Sequence, residues 1–112
     1  MQAGKLRHRV TLEWWQKGQR TDSGATPEGW QAEAKPRWAE VEQLRGRTLF
    51  AAQEANAETT ARIRMRYRAD IAAATGKTLR LRHGAVTYEL EGRPIDLSGR
   101  RTELELMCHE LV

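Results

Sequence analysis

Ala61-Arg62-Ile63-Arg64-Met65-Arg66-Tyr67-Arg68 alternates apolar and cationic side chains without a break. A β-strand sends successive side chains to opposite faces. The stretch therefore predicts a strand that buries Ala61, Ile63, Met65 and Tyr67 and aligns Arg62, Arg64, Arg66 and Arg68 on its other side. A helix would scatter those arginines around its circumference and leave no apolar stripe. Three uses of such a face are open: ion pairs across the sheet with Glu89, Glu91, Glu103 or Glu105, a contact between subunits, or contact with phosphates.

The same alternation recurs on both sides of this stretch. Leu6, His8, Val10, Leu12 and Trp14 form the inner face of a first strand, with Arg7, Arg9, Thr11, Glu13 and Trp15 outward. Residues 17–35 read as a long polar loop carrying Pro27 and Trp30, and Pro36 precedes a second strand at residues 38–42. Trp14 and Trp38 are expected in the core, Trp15 on an outer face. Residues 47–57 (RTLFAAQEANA) are the one good helical segment, with a weak apolar stripe of Leu49, Phe50 and Ala52. Asp70 is placed to cap a single turn through Ala74, closed by Gly76. Residues 78–82 and 85–90 pair as a hairpin about His83-Gly84, residues 92–99 bend, and a last strand at 102–108 points Leu104, Leu106 and Cys108 inward. The expected fold is mainly β: a small antiparallel barrel or sandwich of five to six strands with one short helix and long loops.

The chain has 112 residues, the size of a single domain spanning 1–112. No apolar run approaches the roughly 20 residues of a membrane span, and the polar start at Met1-Gln2-Ala3-Gly4-Lys5 is unlike a secretory signal. Cys108 is the only cysteine and has no partner for an internal disulfide, which fits work or assembly in a reducing cytosol. Net charge is +4, a mild excess that permits nucleic-acid contact without demanding it.

Signals for catalysis are weak throughout. Gly76-Lys77-Thr78 imitates the end of a phosphate-binding loop, but that motif needs glycine at position 71, which is Ile71, and a helix where a strand is expected. His8, His83 and His109 are not spaced to converge on a metal, and Cys108 and His109 point to opposite strand faces. Cys108 falls in an apolar stripe, where a thiol is usually inert. Tyr67 and Tyr88 fall on inner faces, poorly placed for stacking on bases. No catalytic, cofactor or metal constellation emerges.

Several segments, taken in order, resemble one family. They are residues 6–10 (LRHRV), Asp22-Ser23-Gly24 with Trp30, residues 38–47 (WAEVEQLRGR), Phe50-Ala51-Ala52-Gln53, residues 64–68, the Gly84 hairpin with Tyr88-Glu89-Leu90, and residues 103–106. The set is similar to the head-tail joining proteins of tailed bacteriophages, the head-closure or stopper proteins, over nearly the whole chain. The resemblance implies a small β-barrel, monomeric when free, that joins a ring, commonly twelve-fold, beneath the portal and its adaptor. Such a ring surrounds the channel for packaged DNA, helps retain the genome and offers the tail a docking surface. It implies a virion connector assembled in the bacterial cytoplasm, without enzymatic activity, cofactor or membrane. In that frame Trp15, Arg45, Arg47, Phe50, Arg62, Arg64, Arg66 and Arg68 are expected at subunit interfaces or facing the channel, and residues 43–60 reach toward the channel or a neighbouring ring. A reading from another class remains beside it: a small basic barrel of the SH3 or OB type that binds nucleic acid.

Overall fold

A computed structural model of the chain describes residues 7–21, 24–26, 28–55 and 59–111. Leu6, Asp22, Ser23, Pro27, Asn56 and Ala57, all used in the sequence reading, lie outside the described residues. The strands are β1 His8–Gln16, β2 Gln19–Thr21, β3 Gly24–Thr26, β4 Gly29–Ala32, β5 Arg37–Gln43, β6 Ala61–Arg66, β7 Leu79–His83, β8 Val86–Leu90, β9 Ile95–Asp96 and β10 Glu103–Leu111. The helices are α1 Gly46–Ala55 and α2 Ala69–Ala72. In neighbour order β1-β5-β6-β10-β8-β7 close on themselves through a β7–β1 pairing, giving an antiparallel barrel of six strands. Closure removes the free sheet edges that a small open sheet would expose to aggregation.

The alternation that predicted the strands also fills the barrel. Val10, Leu12, Ala39, Ala61, Ile63, Met65, Leu79, Leu81, Leu106 and Cys108 are all 0% exposed, and Tyr88, Leu90 and Leu104 close the core around them. Tyr88 keeps its hydroxyl paired by accepting a 2.6 Å hydrogen bond from Gln43 Nε2. Cys108 is buried in the core, its thiol pKa pushed well up by burial.

Four details differ from the sequence expectation. Residues 17–35 are not one structureless loop. They contain the β2–β3 hairpin and β4, which pairs with β1 from Glu13 to Gln16, beyond the part of β1 that β5 covers. A hydrogen bond from Glu33 N–H to Leu12 O (2.8 Å) carries the chain along that edge from β4 toward β5. Second, Trp38 is 50% exposed rather than core: it shares strand parity with Glu40 and Glu42, and Ala39 turns inward in its place. Third, Asp70 does not cap α2. Arg68 occupies that position with extended backbone, and the Asp70 carboxylate, in the first turn, accepts from Arg68 and from Ile71 N–H (2.9 Å). Fourth, the β7–β8 turn is Gly84-Ala85, because His83 pairs with Val86. Gly84 has φ +61 and Ala85 does not, the type II′ pattern that needs glycine first.

Gly76, the phosphate-loop lookalike, has a packing role. A Cβ there would lie 2.7 Å from the Leu90 carbonyl oxygen, so only glycine lets the turn approach β8. Thr75 and Thr78 close that turn by hydrogen bonds to its own backbone, and β7 follows directly.

Candidate functional site

β6 lies between two strands that carry carboxylates on the same outer face. Its register sets Arg62 and Arg64 opposite Glu42 and Glu40 of β5, and Arg64 and Arg66 opposite Glu105 and Glu103 of β10. Arg62 donates to Glu42 at 2.6 Å, and its Nε lies 3.1 Å from Glu105 Oε1, a close charge contact without hydrogen-bond alignment. Arg64 reaches the same Glu105 oxygen at 3.6 Å. The hydrogen bond to Glu42 raises the Arg62 pKa further above its ordinary value. Arg62, Arg64 and Arg66 thus face Glu40, Glu42, Glu103 and Glu105, and the face as a whole is not positive. Of the carboxylates expected opposite the arginines, Glu105 is engaged, while Glu89 and Glu91 flank His109 instead. Arg66 is exposed and makes no ion pair among the described residues.

Arg68 is held by a network inside the subunit. Its guanidinium donates to both oxygens of Glu33, at 3.0 Å to Oε1 and more closely to Oε2, and to Asp70 at 2.6 and 2.8 Å. Trp14 Nε1 donates to the same Glu33 carboxylate at 2.6 Å. These bonds tie β1, the β4–β5 connection and α2 together at one end of the barrel. They hold Glu33 and Asp70 below the ordinary carboxylate range, in each case chiefly through the Arg68 hydrogen bond.

The outer face of β1 differs in kind. Trp15 pairs across the strands with Trp30 of β4, ring centroids 5.5 Å apart and edge to face. Arg80 of β7 lies 4.6 Å over the Trp30 ring and donates to Glu13 at 2.9 Å. Arg9, paired with Trp38 of β5, lies 4.6 Å over its ring. Arg82, opposite Thr11, is exposed. Of this group the sequence singles out Trp15, as an outward side chain, and Trp30, as a loop tryptophan that anchors a protein contact or pins its loop to the domain. The parity that aligns Trp38 with Glu40 and Glu42 was the available signal for Trp38. Arg80 gave none, because its partners come from other strands.

At the other end of the barrel α1 extends from β5. Phe50 is 69% exposed, Arg45 and Arg47 are exposed, and Leu49, Ala52 and Gln53 are half-buried. Gln53 Nε2 donates to Thr59 O at 3.1 Å, linking the helix to the start of β6. An open groove of about 320 Å³ lies along Arg7, His8, Glu40, Val41 and Glu42. His8 Nδ1 accepts from Val41 N–H at 3.2 Å, and its ring stacks edge-on against His83. Among the described residues no three His, Cys, Asp or Glu side chains converge to hold a metal ion, and no helix is long and apolar enough to cross a membrane.

Comparison with known proteins follows the same lines. The sequence model of the phage head completion protein family matches residues 1–111. The solution structure of protein SF1141 from Shigella flexneri 2a superposes with a TM-score of 0.68 at 29% identity, covering 98% of this chain and 96% of that one. No curated protein matches. The likeness to head-tail joining proteins read from the sequence is borne out by the family match.

Proposed function

The chain belongs to the phage head completion protein family, a family of structural virion proteins that close the head, and on that premise we propose that it forms a connector ring between the portal–adaptor complex and the tail. The observation that carries the proposal is the family match, which runs from residue 1 to 111. In this reading residues 1–112 act as one domain, monomeric when free. Copies assemble, commonly as twelve, in the bacterial cytoplasm and take their place in the virion around the DNA channel, where they help retain the genome. The role is structural rather than enzymatic, and no cofactor is needed.

Two sets of expected contact residues serve this role differently. Arg62, Arg64 and Arg68 are engaged within the subunit and hold its shape. Trp15, Arg45, Arg47, Phe50 and Arg66 are exposed and available to neighbours or to the channel. The 43–60 segment, with Phe50 uncovered on α1, orders further against a neighbouring subunit or ring. Hydrogen exchange tests this: stronger protection of residues 46–55 in assembled particles is expected, and equal protection free and assembled would overturn it.

The decisive experiment is complementation. DNA-filled heads made without this protein should retain DNA and accept tails after incubation with the purified chain. Failure of the folded protein to convert such heads would overturn the connector reading. The basic SH3- or OB-like reading is favoured by one observation, the stacking of Arg9 on Trp38 of β5 and of Arg80 on Trp30 of β4. It predicts DNA binding that weakens steeply with salt, by a log–log slope of about −0.9 per phosphate contact.

A further inference from the structure

Where β1, β5, β6 and β10 run side by side, one outward row lies beyond the Arg62–Arg64 brace. Arg9 pairs with Trp38 of β5. One residue past the Ala39–Met65 pair, Trp38 stands beside Arg66, which in turn pairs with Glu103 of β10. Arg9, Trp38 and Arg66 are exposed, and the Arg9 guanidinium lies 4.6 Å over the Trp38 ring. Among the described residues Arg9, Arg66 and Glu103 form no ion pair.

The turn from β9 into β10 adds two cations at the end of this row. Asp96 accepts from Gly99 N–H and from Arg101 N–H, each at 3.1 Å, and Ser98 Oγ accepts from Arg100 N–H at 3.1 Å. The Ser98 and Thr102 hydroxyls meet at 3.0 Å, and Tyr67 N–H donates to Thr102 O at 3.1 Å, fastening the turn to the end of β6. Arg101 holds φ +58, a left-handed backbone that arginine seldom adopts, and the Asp96 bond keeps it there. The turn is thus fixed in shape and its carboxylate faces its own backbone. Arg100 and Arg101 are exposed and form no ion pair among the described residues.

The composition of this surface selects its partner. A protein contact needs an apolar centre depleted in charge. Here the exposed Trp38 and Leu97 are separated by Arg66 and Glu103, and Arg9 already covers the Trp38 ring. A covered ring is also poorly placed to stack on an unpaired base. Free guanidinium forks suit phosphate oxygens. Arg9 and Arg66 are two strand spacings apart, about 10 Å. A duplex carries a phosphate every roughly 3.4 Å along each strand, so both cations reach one backbone.

We infer that Arg9, Arg66, Arg100 and Arg101 hold the phosphate backbone of duplex DNA whatever its sequence, the Asp96-braced turn presenting the last two. The inference deepens the connector reading, in which copies surround packaged DNA, and rests on it for the choice of a duplex as occupant.

The test uses the full chain, labelled with nitrogen-15 and titrated with a mixed-sequence duplex of roughly 20 base pairs at low salt. Amide shifts should concentrate at Arg9, Trp38, Arg66 and residues 98–101, and vanish at high salt. By anisotropy of a labelled duplex, Arg9→Ala/Arg66→Ala and Arg100→Ala/Arg101→Ala should each make the log–log salt slope shallower by about 2, one unit per lost contact. Arg62→Ala/Arg64→Ala should leave the slope unchanged, and circular dichroism establishes that each variant folds. Asp96→Asn makes the chain more positive but removes an acceptor from the turn. Weaker binding by that variant supports the turn's role, and tighter binding overturns it. Absent shifts, shifts centred elsewhere, or an unchanged slope in both arginine variants overturns the inference. Poly-glutamate moving the same residues where the duplex does not points to an acidic protein and also overturns it. Head completion by the wild-type chain scores the connector reading separately. Completion without these shifts overturns the DNA contact alone, and shifts without completion overturn the connector and leave a DNA-binding barrel.

Discussion

The arginines of β6 and those of β1 and β7 come from similar alternating sequence and end in opposite circumstances. On β6, Arg62 and Arg64 are flanked on both sides by strands bearing glutamates, and Glu105, only 8% exposed, binds both. On β1 and β7, Arg9 and Arg80 lie over tryptophan rings and Arg82 faces water. Alternation within a strand decides which side chains point outward. The strands on either side decide whether an outward cation is balanced within the molecule or left for a partner. The most conspicuous basic stretch in the sequence is consequently an internal brace, and the less conspicuous one leaves Arg82 exposed.

The largest effect expected from breaking this arrangement lies on the inner side of β6. Ile63→Ala removes a fully buried side chain from the centre of the barrel and should cost about 2–5 kcal/mol in urea unfolding. Next comes the end of the same alternating stretch. Arg68→Ala strands the Glu33 carboxylate beside Trp14 and should cost about 1–3 kcal/mol at neutral pH. That loss carries a pH signature. Glu33 and Asp70 have folded pKa values below their ordinary 4.5 and 3.8, so their contribution is full above those values and disappears as the pH falls through the folded ones. Melting curves of wild type and Arg68→Ala should converge between about pH 4.5 and the acid limit; a constant gap would remove the network from the explanation. Glu105→Gln leaves Arg62 and Arg64 sharing a neutral group and should cost about 1 kcal/mol. Arg82→Ala, on the other surface, should change stability by less than about 0.5 kcal/mol, because its exposed side chain makes no ion pair among the described residues.

Much of the barrel was legible before any coordinates. Strands β6, β7, β8 and β10 announce themselves by alternation, and α1 by its run of helix formers. What stayed hidden depends on contacts between distant segments. Gly29-Trp30-Gln31-Ala32 has the composition of a loop and becomes a strand because β1 offers an unpaired edge there. The β7–β1 closure leaves no local mark, since neither strand encodes its neighbour. For the candidate surface, Trp15 was readable as an outward side chain, whereas Phe50, read as part of the apolar stripe of α1, is exposed. The Arg80–Trp30 stack and the binding of Arg68 to Glu33 were not readable, because residues 35 to 50 positions apart become neighbours only once the barrel has closed.

The two surfaces separate most directly in one titration: the yield of completed, infectious heads against added protein, for Arg62→Ala/Arg64→Ala and for Arg9→Ala/Arg82→Ala, at a temperature where both are folded. If β6 braces the subunit and β1 meets a partner, the first variant completes heads at close to the wild-type yield and the second falls well below it. The reverse order, a competent β1 variant and an inactive β6 variant, would contradict this division of labour.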